Sequence, residues 1–225
     1  MLARRIVERC SHNQFAKVLI YGSLTKAKVF VALNYYIIYK PYEVLTRFTP
    51  EGNKACLADY FKVPSDVYPV GRLDYDSEGL LILTNDKALN QQLLLPQHAH
   101  EREYWVQVDG AVTPEAVQQL QAGVQINVDG KLYRTKRCIA EIFPEEPLLP
   151  PRNPPIRFRK SIPAPWIRIV LGEGKNRQVR RMTAAVGFPT LRLVRYRMED
   201  ITVAGMQPGE MVQLSREEIY RRLKV

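Results

Sequence analysis

The chain has 225 residues, 46% of them apolar and 25% charged, and a net charge of +10. That length can bury a sizeable core as one large domain or two small ones, and the excess of cations asks for a polyanionic partner. The totals exclude a spanning helix, since no run of about 18 apolar residues occurs, and a disulfide framework, since Cys10, Cys56 and Cys138 are odd in number and far apart.

Residues 1–28 are basic and weakly patterned and read as an arm with some helix. From Val29 the text turns to FVALNYYIIYKPYEVLT, β-branched and aromatic, a strand broken at Lys40-Pro41. The apolar part of this segment is interrupted by Asn34 and lies too far in for a signal peptide. KACLADYF (54–61) suits a short helix ahead of Pro64, Leu80 to Thr84 a strand, and Lys87 to Leu95 a helix stopped by Pro96. A further strand covers 104–108. Thr113-Pro114 opens a helix as N-cap and first helical residue, and Gly123 ends it. Segments 124–128 and 131–134 flank Asp129-Gly130, a two-residue hairpin turn. The proline-rich stretch PEEPLLPPRNPP (144–155) is a stiff loop. Then follow a strand over 166–171, a helix over 176–186 with Gly187 at its end, and a strand over 191–198. A capping box at Ser215 and Glu218 starts a last helix. Interspersed strands and helices without a βαβ period predict an α+β fold, with a mixed, mainly antiparallel sheet flanked by helices and loops.

The charge is unevenly placed. Between Arg152 and Arg197 there are twelve Lys/Arg and one acid, Glu173, so these 46 residues carry +11 and the remainder is near neutral. A block of that length favours polyanion binding over a merely solvated face.

Residues 71–86, GRLDYDSEGLLILTND, place Asp74, Asp76 and Glu78 at alternate positions behind Arg72. The spacing begins like a calcium loop, but the twelfth position is Asn85 and a strand follows. An Asp-x-Asp pair holding magnesium would need a phosphate-gripping Gly-rich loop, and none is present. A polar turn accounts for Asp76 and Glu78. Asp74 lies between two apolar segments, where a carboxylate is half-buried and calls for a cationic partner. A second segment, GEGKNRQVRRMTAAVGFPTLRL (172–193), puts Val179, Met182 and Val186 on one helical stripe. Arg177, Arg180 and Arg181 cannot share one line on that helix, so at least one faces the core or a cleft. In REYWVQV (102–108), Tyr104, Val106 and Val108 share one strand face, which makes Tyr104 either core filling or a base-stacking platform.

These three motifs, in this order and spacing, resemble bacterial pseudouridine synthases of the RsuA-like family, which isomerise uridine in ribosomal RNA. The likeness runs from about Ile37 to the C-terminus. NPPIRFRKSIP (153–163) is similar, more narrowly, to a member that modifies large-subunit rRNA and has no leading S4 RNA-binding domain. No S4 domain is recognised here, and the first 28 residues match no motif. The resemblance implies the pseudouridine synthase fold over 29–225, with the proline-rich loop between its two halves. It implies Asp74 as the catalytic aspartate, Tyr104 as the tyrosine stacked on the target base, and Arg180 as the arginine paired with the aspartate. Arg72 would take the flipped base's place or grip phosphate. Arg102, Lys175, Asn176, Arg177 and Arg181 join it as candidate RNA contacts. Where relatives often have Asn-Lys-Pro, this chain has Tyr39-Lys40-Pro41, which touches a local turn contact.

Breaking the bond from ribose C1′ to base N1 and rejoining C1′ to C5 adds nothing from outside, so no cofactor or metal is expected. The base must leave its stack, and water must be kept from the sugar. The implied partner is 23S ribosomal RNA, or a large-subunit assembly intermediate, for a monomeric, cytoplasmic protein with no membrane association. Two rivals remain: a non-catalytic rRNA-binding or ribosome-assembly protein, which needs no buried Asp, and a metal-dependent transferase using Asp74 and Asp76.

Overall fold

The aromatic and β-branched run before Pro41 forms β1 (Tyr35–Lys40), and the apolar run after the three acids forms β3 (Glu78–Thr84). They pair antiparallel from Tyr35↔Thr84 to Lys40↔Gly79. Every residue of both strands is buried, because each face is covered. Tyr35, Ile37, Tyr39, Leu80 and Ile82 join one apolar cluster; Tyr36, Ile38, Leu81 and Leu83 join another. Two covered faces explain why these strands read as continuous apolar runs instead of alternating. The computed structural model describes residues 32–157, 159 and 161–225; the arm expected over 1–28 and the first residues of the strand from Val29 lie outside them.

The remaining strands are β2 (Tyr68–Pro69), β4 (Arg102–Val108), β5 (Gln125–Val128), β6 (Lys131–Arg134), β7 (Ile139–Ile142), β8 (Trp166–Leu171), β9 (Thr190–Met198), β10 (Ile201–Thr202) and β11 (Met211–Gln213). The helices are α1 (Leu57–Tyr60), α2 (Lys87–Leu94), α3 (Pro114–Ala122), α4 (Gln178–Ala185) and α5 (Arg216–Leu223). The main sheet runs β11-β1-β3-β9-β4-β8-β7, with β2 on β3 and β10 on β9. All its pairings are antiparallel except β3 with β9, a short parallel junction at Glu78↔Val194 and Gly79↔Arg195. Mixed, mainly antiparallel and flanked by helices, the sheet has the architecture expected from the sequence.

Gly79 is where the two halves meet. Its φ is +102°, and a Cβ there would lie 2.4 Å from the Arg195 carbonyl oxygen. Only glycine permits both the backbone angle and the close approach. In the second half, Val106, Val108, Ile167, Ile169 and Leu193 pack with Val117 and Leu120 of α3 and Val179 and Met182 of α4.

Local chemistry sets the helix ends. Thr113 accepts a hydrogen bond from Ala116 N, with Pro114 first in α3 and Gly123 (φ +84°) at its end. Asp129 and Gly130 both have positive φ, as a two-residue hairpin turn requires. The helix expected from Asn176 starts two residues later, since Arg177 adopts a left-handed conformation (φ +52°) as its N-cap. Ser215 Oγ accepts from Glu218 N at 3.1 Å, but the reciprocal half of the capping box is missing, as Glu218 turns to Arg222 at 3.4 Å.

Candidate active site

Asp74 lies in the turn leading into β3, and the turn's backbone is clamped on all sides. Thr46 Oγ1 donates to the Leu73 carbonyl and accepts from Leu73 N at 3.2 Å. Ser77 N donates to the Asp74 carbonyl at 3.0 Å, and Glu43 N to the Tyr75 carbonyl at 2.9 Å. Arg180 donates to the Asp76 carbonyl. Lys40 is fully buried and donates from Nζ to the carbonyls of Pro41 (2.9 Å) and Val44 (2.7 Å), with that of Tyr75 at 3.5 Å. Burial pulls the Lys40 pKa down to about 7, against the opposing charges of Glu78, Asp76 and Asp74. The Tyr39-Lys40-Pro41 segment thus does make a local turn contact.

The Asp74 side chain, by contrast, is unencumbered. Among the described residues its carboxylate accepts no hydrogen bond; the nearest cation is Arg177, with Nη1 at 3.7 Å from Oδ2, and the side chain keeps 33% of its surface exposed. It opens into a cleft of about 820 Å³ that is also lined by Arg72, Leu73, Arg102, Tyr104, Lys175, Asn176, Arg177, Leu193 and Arg195.

The arginine pairing differs from the one the resemblance implied. Arg180 engages Asp76 instead of Asp74, with Nε 3.3 Å from the Asp76 carboxylate as well as its bond to the Asp76 carbonyl. Arg177 holds Asp76 through two hydrogen bonds of 2.9 and 2.7 Å and is the arginine that also reaches toward Asp74. The cause lies in the helix start: with Arg177 as a left-handed N-cap, its side chain turns back over the acidic turn. Burial works against the charge of Asp76, but the Arg177 hydrogen bonds and the Arg180 charge outweigh it and hold the carboxyl below its usual range. Both oxygens of Asp76 face guanidinium groups, which leaves no vacant Asp74–Asp76 pair for a metal ion. Among the described residues no group of three or more His, Cys, Asp or Glu is arranged to hold one.

Glu78 also departs from expectation. It is no turn former: it opens β3, 1% exposed, and takes two hydrogen bonds of 2.9 Å from Arg192. Arg192 donates onward to the Pro150 carbonyl at 2.8 Å and so ties the proline-rich loop to the sheet. The signal in the sequence was the alternation of 74, 76 and 78 running into an all-buried strand.

Tyr104 is both core and cleft. It packs against the Val106–Leu193 cluster and lines the cavity. Its cross-strand partner is Arg195, which is 4% exposed and anchored by Nε to the Leu80 carbonyl at 2.7 Å. Burial holds the Arg195 pKa below the usual guanidinium range, with the Tyr104 hydroxyl acting in the opposite sense. Thr46 and Arg195 are supporting residues that no motif singled out.

The candidate RNA contacts fall into two groups. Arg72 is exposed at the cleft with no ion-pair or hydrogen-bond partner among the described residues, and Lys175 and Asn176 are exposed on its rim. Arg102 and Arg181 are engaged within the protein: Arg102 donates to the carbonyls of His100 (3.2 Å) and Leu93 (2.9 Å), and Arg181 to the carbonyl of Asn127.

A carboxylate on a clamped turn, an aromatic ring in the same cleft and a cationic rim are features that an RNA-modifying isomerase needs. A profile of the family described as RNA pseudouridylate synthase matches residues 34–185, and the chain belongs to that family. It is 48% identical over 178 residues to "Ribosomal large subunit pseudouridine synthase E" of Vibrio parahaemolyticus, covering 79% of this chain and 72% of the relative. To the protein of the same name in Vibrio vulnificus it is 45% identical over 212 residues, covering 94% and 84%. That alignment leaves too little of the chain uncovered to omit the first 28 residues, which carried no recognised motif. A solved pseudouridylate synthase shares the fold, with a TM-score of 0.69 at 23% identity over 87% of this chain and 76% of that one.

Proposed function

We propose that the protein converts a specific uridine of 23S rRNA to pseudouridine; in support, relatives at 45–48% identity are named as ribosomal large subunit pseudouridine synthases. The observation that carries the site assignment is the contrast at Asp74: a backbone tied at every carbonyl from Leu73 to Asp76, bearing a carboxylate that accepts no hydrogen bond among the described residues and has Arg177 at 3.7 Å. A reacting group must be positioned by its surroundings without being quenched by them.

In this reading the target uridine flips into the cleft and stacks on Tyr104. Asp74 assists cleavage of the C1′–N1 bond, by attack on the sugar or the base or by taking a proton from C2′. The freed base turns, C5 bonds to C1′, and the proton lost from C5 is balanced by one gained at N1. Arg177 places a guanidinium 3.7 Å from the Asp74 carboxylate, beside Leu73. Arg180 is a positioning residue: it fixes the turn through Asp76. Arg72 enters the space the flipped base leaves, or grips phosphate, and Lys175 and Asn176 hold the backbone. The protein acts as a cytoplasmic monomer on rRNA, naked or in an assembling large subunit.

The test is tritium release from large-subunit rRNA transcribed with C5-labelled uridine, in EDTA, by wild type and Asp74→Asn. Release by the wild type, reduced on the order of 10³-fold or more in the variant, is expected. Equal release by both removes Asp74 from the chemistry. Binding without release by either protein favours the non-catalytic rRNA-binding reading.

A further inference from the structure

The +11 block of residues 152–197 is not the whole cationic surface. Segment 131–137, KLYRTKR, carries Lys131, Arg134, Lys136 and Arg137 and no acid. All four cations are exposed, and none has an ion-pair partner among the described residues. They sit on the β5–β6 hairpin, a two-stranded sheet separate from the main one, and on the turn that follows it.

The hairpin is bound tightly to the edge of the active-site cleft. Glu173, the single acid of the basic block, is where it is fastened: its carboxylate accepts from Tyr133 Oη, from Lys136 N at 2.9 Å and from Gln178 Nε2 at 2.7 Å. Arg181 donates to the Asn127 carbonyl, and Asn176 to Asp129 at 3.3 Å, which fixes the hairpin's tip to the start of α4. Lys175 Nζ lies 4.8 Å above the Tyr133 ring, and Tyr133 and Lys136 line the same cleft as Asp74 and Tyr104. The one acid that would have interrupted the cationic rim is thus turned inward to carry the hairpin. Four unpaired cations on a rigid ribbon, continuous with the cleft, suit a regularly spaced polyanion.

We propose that the β5–β6 hairpin is a second RNA-binding element, which grips backbone phosphates flanking the flipped nucleotide through Lys131, Arg134, Lys136 and Arg137. The proposal rests on the rRNA-modifying reading above. The hairpin holds the RNA and takes no part in bond making, so its loss weakens binding and leaves turnover of bound RNA unchanged.

The experiment compares the wild type, a variant with all four residues changed to Gln, a charge-preserving variant (K131R/R134K/K136R/R137K) and a control with three exposed cations away from the cleft removed (K62Q/K87Q/R221Q). Equilibrium binding to large-subunit rRNA transcript is measured across a salt series, with tritium release at saturating RNA on the same preparations. For the four-Gln variant, Kd is expected to rise at least tenfold at moderate salt. The slope of log K against log salt should flatten by about 3, the value for four phosphates at about 0.7 each, with kcat within twofold. The charge-preserving variant should bind like wild type, which separates lost charge from a disturbed hairpin. An unchanged slope in the four-Gln variant overturns the proposal, as does an equal loss per charge in the control or weak binding by the charge-preserving variant. Absence of release by the wild type would instead count against the enzymatic reading and leave the binding comparison standing.

Discussion

Asp74 and Glu78 stand four positions apart, yet the two acids live in opposite regimes. Glu78 is sealed inside the sheet against one fixed arginine; Asp74 stands at the cleft with a guanidinium near but not bonded. Between them Asp76 is held by two arginines at the surface. The gradient teaches how one short segment serves both fold and chemistry. The ion pair that is fully satisfied lies where β3 meets β9, and the carboxylate without a hydrogen bond is the one the proposed function assigns to the chemistry.

Breaking the inner pair should have the largest effect on stability. Glu78→Gln leaves the Arg192 guanidinium buried without its counter-charge and is expected to cost about 3–5 kcal/mol, read as a lower midpoint in urea unfolding at constant slope. Asp74→Asn should cost no more than about 0.5 kcal/mol by the same measurement. If the two variants are equally unstable, the division between a structural and a reactive acid fails.

The outer arginines sharpen the same comparison. Arg177→Gln removes the cation nearest Asp74 and the main partner of Asp76, and turnover should fall by about 10–100-fold. Arg180→Lys keeps a charge but loses the fork that reaches both the Asp76 carbonyl and its carboxylate. It should lower kcat with KM for rRNA within about threefold. An effect on KM alone would make both residues phosphate contacts.

The smallest effect concerns pH. The Asp76 pKa is lowered in the folded protein from its ordinary 3.8, so the unfolded chain binds the proton first on acidification. Its stabilisation is complete above about pH 5 and is lost as pH falls through the lowered folded value. The difference in Tm between wild type and Asp76→Asn should be constant from pH 5 to 7 and shrink below about pH 4. A difference that persists undiminished at pH 2.5 would mean that the arginine contacts contribute nothing through charge.

Much of this was legible in one dimension. The strands expected up to Lys40, over 80–84 and over 104–108 by composition appear at 35–40, 78–84 and 102–108, and the helix starting at Pro114 was marked by its cap. Asp74 and Tyr104 were singled out by position and motif and share one cleft. What was not legible depended on partners far along the chain. Glu78 looked like a turn residue because Arg192 is 114 positions away. That Arg177, and not Arg180, reaches toward Asp74 goes with a left-handed backbone at Arg177, which helical periodicity cannot foresee. The short edge strands β7 and β11 give too few residues for a pattern. The charge of KLYRTKR was hidden in a remainder that averaged to neutral.

The parallel junction between β3 and β9 has a consequence in time. Gly79 meets Arg195, more than a hundred residues later, and β1 at the other flank waits for Met211–Gln213. Such distant pairing is slow to close. During synthesis the strand that follows Asp74 therefore stays unpaired on one side until residues 190–198 have emerged, so the cleft that holds Asp74 is completed late.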